Sequence, residues 1–92
     1  MELLDKKFTH NEDVAWRVIE GEALLVSPRT SHIFPMDGIG TRIWSLMDEE
    51  RTGRDIARVL EEEYDQELSV VESDLSLFID DLMKNELVRV CE

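Results

Sequence analysis

Apolar and polar residues alternate through the first third of the chain, then change to a helical period after residue 37. Residues 13–19 (DVAWRVI) put Val14, Trp16 and Val18 on one face and Ala15, Arg17 and Ile19 on the other, which predicts a strand. Residues 20–22 (EGE) read as a tight turn, with Gly21 supplying the permissive backbone. Residues 22–27 (EALLVS) follow as a second strand. Residues 27–31 (SPRTS) form the next turn, Pro28 suiting its second position. Residues 31–36 (SHIFPM) then make the third strand of a meander.

The helical period predicts three helices. The first starts at Asp37, a good N-cap, and carries Ile39, Ile43, Leu46 and Met47 at core spacing. Gly38 and Gly40 in its first turn cost helix stability, which close packing against the sheet would explain. Residues 48–53 (DEERTG) break the pattern. Thr52 caps the second helix with Asp55 three residues on, and Ile56, Val59, Leu60 and Tyr64 form its stripe. Ser69 and Glu72 are spaced as a capping box for the third, whose stripe is Val71, Leu75, Phe78, Ile79 and Leu82. That helix ends near Asn85, and residues 87–91 (LVRVC) leave room for a short final strand.

Strands in a run followed by helices in a run indicate an α+β fold, here a three-stranded antiparallel meander followed by a three-helix bundle. Residues 1–92 read as one domain, with no internal repeat, low-complexity tract or linker.

Charge narrows the choice of partner. The net charge is −12, and residues 37–92 carry sixteen acids against six bases, or −10. Such a surface repels phosphate backbones, so nucleic acid and anionic membranes are disfavoured and a basic peptide or protein surface is favoured. The recognition helix of a winged-helix DNA binder needs Arg or Lys. The third helix offers only Lys84 against the five acids between residues 72 and 86. The N-terminal stretch has no apolar signal-peptide core, and no apolar run approaches the roughly 20 residues of a membrane span. A single cysteine, Cys91, fits a reducing cytoplasm.

Nothing converges as catalytic groups must. His10, in an N-terminal segment expected to fray, and His32 have no ligands at metal spacing. Cys91 lacks a second cysteine for a redox motif. Asp80 and Asp81 point about 100° apart on a helix, too far to act as an acid–base pair. Trp16 and Trp44 read as core. The expectation is no catalytic residue, no metal and no cofactor.

Two features remain. On the third helix, Val70, Asp74, Leu77, Phe78 and Asp81 form a second strip, part apolar and part acidic, outside the core stripe. It fits either a solvated face or the wall of a groove. The third strand, if it is an edge, exposes unpaired backbone groups to which another strand can add, and Pro35 fits an edge position.

The chain resembles the PqqD family of pyrroloquinoline quinone biosynthesis and the wider set of RiPP recognition elements, over roughly residues 14–88. The resemblance rests on Phe34, Met36, Asp37, Gly40, Ile43 and Trp44 at the strand-to-helix corner. It rests also on Thr52, Ile56, Ala57 and Leu60, and on Asp74, Phe78, Leu82, Leu87 and Val88. Met-Asp stands where the family has Leu-Asn, and Pro35 where it more often has a polar residue. The resemblance implies a winged-helix-like, non-catalytic module that binds the leader of a ribosomally made precursor peptide. The leader would add as a strand to the third strand, in the groove before the third helix, for presentation to a tailoring enzyme such as a radical SAM protein. The residues so implicated are His32, Ile33, Phe34, Pro35 and Met36 on the strand side, and Val70, Asp74, Leu77, Phe78 and Asp81 on the helix side. A monomer or weak homodimer is expected. The alternative is an obligate interaction or dimerisation subunit using the same strand edge, with no peptide substrate.

Overall fold

Glu20 and Gly21 both have positive φ, 53° and 81°. This is the two-residue hairpin turn whose twist matches that of the flanking strands. It joins β2 (Ala15–Ile19) to β3 (Glu22–Val26), with Ile19 facing Glu22 and Ala15 facing Val26. After a turn in which the Ser31 N–H donates to the Ser27 carbonyl (3.1 Å), β4 (Ile33–Pro35) returns along β3. The meander is therefore ordered β2-β3-β4, with β4 at one edge. The computed structural model describes residues 3–91, so residues 1, 2 and 92 of the expected domain lie outside the described residues.

The first two helices start where their caps predict. Asp37 accepts from the Gly40 N–H at the head of α1 (Gly38–Leu46). Thr52 and Asp55 form a full reciprocal capping box on α2 (Gly53–Tyr64). The third helix departs from expectation. Helix α3 (Leu68–Lys84) begins at Glu67 with no side-chain cap, so the Ser69–Glu72 box is not made. Glu72 instead reaches Arg54 on α2 (3.1 Å), an ion pair between the two helices that pack together. Gly40 is buried, and a methyl group there would come within 3.3 Å of Met36 Sδ, which accounts for one of the two glycines in α1. Around Gly38 there is open space.

A second sheet was only partly foreseen. The short strands β1 (Lys7–His10), β5 (Asp48–Thr52) and β6 (Val88–Cys91) pair in the order β5-β1-β6. The stretch around His10 is thus an ordered central strand rather than a frayed end: Phe8 is fully buried, and Phe8 and His10 pair with Val90 and Val88. Strand β5 is DEERT, with no apolar residue to alternate, and it carries an irregularity where Glu49 adopts φ 76°. Backbone pairing to β1, not side-chain burial, makes it a strand.

One core joins both sheets and all three helices. It holds Phe8, Leu25, Trp44, Ile56, Leu75, Ile79 and Leu87 among its most buried members. Trp44 belongs to it as expected, but Trp16 does not: its side chain stands 45% exposed. Strand β2 is the outer strand of the meander and is exposed along its whole length, so no element covers Trp16. Its ring instead lies edge-on against His10 and Trp44, whose rings stack at 3.6 Å. Ile39 and Tyr64, expected in helix stripes, are also largely exposed, each near one end of its helix.

Candidate functional site

Strand β4 uses one side of its backbone and leaves the other open. The Met36 N–H donates to the Ala23 carbonyl (2.8 Å) and the Ser27 N–H to the His32 carbonyl (2.9 Å), with Phe34 opposite Leu25 between them. In an antiparallel ladder this alternation turns the backbone groups of His32, Phe34 and Met36 toward β3 and those of Ile33 and Pro35 away from it. The outward side therefore presents the Ile33 N–H and the carbonyls of Ile33 and Pro35. No strand pairs with it among the described residues. The end of the ladder is tied to α1: the Ala23 N–H donates to Thr41 Oγ1 (2.8 Å).

Side chains alternate with the backbone. Met36 is buried, and half-buried Phe34 packs against the same core. His32 is exposed, its ring centroid 4.8 Å from that of Phe34. Ile33 and Pro35 project from the opposite, outer face, both exposed.

On α3 the expected core stripe is buried at Val71, Leu75, Ile79 and Leu82, with Phe78 half-buried at its border. Val70 and Leu77 are exposed, Leu77 at 67%. Asp74 and Asp81 are exposed, and neither forms a salt bridge among the described residues, whereas their neighbour Asp80 pairs with Lys84 (3.0 Å).

A cleft of about 260 Å³ opens between the start of α1, the end of α2 and the first half of α3. Apolar side chains dominate its lining, among them Ile39, Ile43, Leu60 and Phe78, and Asp37 and Asp74 add two carboxylates. Asp37 also accepts the cap hydrogen bond from the Gly40 N–H (2.7 Å), so the residue that starts α1 also borders the cleft. Of the residues implicated from the sequence, Asp74 and Phe78 line this cleft; His32, Ile33, Phe34, Pro35, Met36, Val70, Leu77 and Asp81 do not. Asp37, Ile39 and Tyr64 were missed as cleft residues. Ile39 and Tyr64 lie in stripes that read as core, but each stands near one end of its helix, exposed toward the cleft.

Among the described residues, no three His, Cys, Asp or Glu side chains are grouped to hold a metal ion. No helix is long and apolar enough to cross a membrane among the described residues. The Cys91 thiol is pushed up from its ordinary pKa, chiefly by burial and then by Glu49, which disfavours the reactive thiolate.

A family model described as coenzyme PQQ synthesis protein D (PqqD) matches residues 22–88. TbiB1, solved in complex with the TbiA(beta) leader peptide, is similar at 31% identity and a TM-score of 0.80, over 87% of this chain and 93% of that one. A lasso peptide synthetase B1, complexed with its leader peptide, superimposes with a TM-score of 0.80 over 90% of this chain and 98% of that one. At 17% identity that likeness speaks for the fold. No curated protein matches the chain.

Proposed function

The chain belongs to the PqqD family, and from that membership we propose that it captures the leader of a ribosomally made precursor peptide and presents it to a tailoring enzyme, with no chemistry of its own. The observation that carries this reading is the open side of β4, which offers one donor and two acceptors with no strand against it among the described residues. TbiB1, the relative at 31% identity, is a leader-peptide complex, which supports the same use here.

Main-chain bonds to Ile33 and Pro35 would supply affinity without reading sequence, as in other cases of strand addition. Specificity would come from side chains. Alternate residues of the added strand would turn toward α3, where Phe78 and the cleft accept an apolar anchor and Asp74 and Asp81 attract Lys or Arg. The residues proposed to form the site are His32, Ile33, Phe34, Pro35, Met36, Val70, Asp74, Leu77, Phe78 and Asp81. The tailoring enzyme of such a module is proposed to be a radical SAM protein, working in the cytoplasm, with the module itself a monomer or weak homodimer.

A backbone NMR titration with the synthetic leader peptide encoded beside this protein tests the reading. Shifts concentrated in residues 31–36 and 70–81, with micromolar or tighter affinity, are expected. A spectrum unmoved at millimolar peptide, from a chain that is monomeric by light scattering, would overturn it.

A further inference from the structure

We infer that the outer face of the β2-β3-β4 sheet is a second docking surface, an apolar patch whose partner sets a carboxylate against Arg17, and that this partner is the tailoring enzyme. The identity of the partner rests on the function proposed above; the surface itself rests on the geometry of the sheet.

The strand register lays the face out in rows. Arg17, Leu24 and Pro35 form one row across the three strands, and Ala15, Val26 and Ile33 form the next. The other face of the same strands holds Ala23, Leu25, Phe34 and Met36, which belong to the core or pack against it. So the rows that contain Arg17 look outward. Ile33 is 57% exposed and Ile19, beyond the Arg17 row, is 46% exposed. Apolar residues gathered on one side of a small sheet, with no element over them among the described residues, mark a contact surface more often than scattered exposure does.

Charge gives the partner its chemistry. In a chain of net charge −12, this face holds Arg17 in a row with Leu24 and Pro35, and its carboxylate, Glu22, stands opposite Ile19 at the hairpin end. Arg29, Arg42, Arg51, Arg54 and Arg89 are each paired with a carboxylate. Arg17, like Arg58 on α2, is in no ion pair among the described residues, and of the two only Arg17 lies on this sheet. A guanidinium beside an apolar patch suits a carboxylate that loses its water on contact. A second copy of this chain is the weaker candidate, because it would bring another net −12 against the first.

Position gives the surface its use. A strand added to β4 would extend this sheet, and every second side chain of the peptide would join the same outer face. An enzyme seated there would touch peptide and carrier together.

The test uses the full chain, the purified tailoring enzyme encoded beside it and the synthetic leader peptide. Arg17→Glu and the double variant Arg17→Glu/Ile19→Asp alter β2, which β3 separates from β4. Enzyme binding to the peptide-free chain is expected to fall about tenfold or more in the double variant, while leader affinity stays within about twofold. If neither chain binds leader but the variants still lose the enzyme, the surface stands and the leader reading fails. Unchanged enzyme binding in a folded double variant overturns the inference. So does a wild-type dimer that the variant disperses, which would make a second copy the occupant.

Discussion

Pro35 stands directly opposite Leu24 of β3 at a position where the ladder makes no hydrogen bond. The amide hydrogen it lacks is therefore one that would have pointed outward, and β3 loses nothing by it. The proline thins the open edge of β4 to a single donor, the Ile33 N–H.

That count predicts opposite effects for two substitutions. Pro35→Ala restores an outward donor and should tighten leader binding by about 1 kcal/mol, roughly fivefold, the net worth of one added hydrogen bond. Ile33→Pro removes the remaining donor and should weaken binding by at least as much while β3–β4 pairing survives. Isothermal titration with the leader peptide checks both.

Asp74 and Asp81, in no salt bridge among the described residues, carry charge beside the proposed groove. Asp74→Lys with Asp81→Lys should weaken leader binding and flatten its dependence on salt, since exposed charges act through a screened field. Affinities measured across a salt series decide this: an unchanged slope would remove the acids from recognition and leave the main-chain contacts standing.

Gly53 opens α2 against the short helical turn at Leu3–Asp5, and its N–H donates to the Lys6 carbonyl (3.0 Å). A methyl group there would lie 2.8 Å from Leu4 Cδ2 and 2.9 Å from its Cα. Because backbone must move to admit it, Gly53→Ala should destabilise the fold by about 1–3 kcal/mol, as overpacking does. Urea unfolding measures the loss. Gly38→Ala, with open space around it, should be neutral or mildly stabilising.

His10 couples the fold to pH. Its imidazole is held below its ordinary value of 6.5 by burial, with the Nε2–H bond to the Trp44 carbonyl (2.6 Å) working the other way. The folded state thus takes up its proton at lower pH than the unfolded chain. The stabilisation is fully present above about pH 6.5 and is lost as the pH falls through the folded value. The depressed carboxylates Asp48, Asp55 and Glu63 act in a separate, more acidic window. Wild type should therefore lose more stability than His10→Phe between pH 7 and pH 5, because phenylalanine keeps the stack on Trp44 without titrating. Tryptophan fluorescence follows unfolding in both.

The parts of this fold legible in the sequence are those where local chemistry and packing agree. Alternation placed β2 and β3, the Asp37 and Thr52 caps placed α1 and α2, and the 3.6-residue stripe placed the buried side of α3. Strand β5 escaped because DEERT has no apolar pattern, and β1 because Phe8 is its one buried residue. The Ser69–Glu72 box failed because α3 starts two residues earlier, at the Glu67 cap, which puts Ser69 inside the first turn. The exposed strip on α3 beside its core stripe was readable, but the cleft was not. Three helices form it, and Ile39 and Tyr64 look like core in any one of them.

The small sheet has a practical consequence. Lys7 pairs with Cys91, so the first and last strands of the described chain, β1 and β6, lie side by side, in a different sheet from β4. A flexible tether fixed at either end can hold a peptide or an enzyme near the module without occupying its open edge, converting a bimolecular encounter into an intramolecular one at millimolar effective concentration.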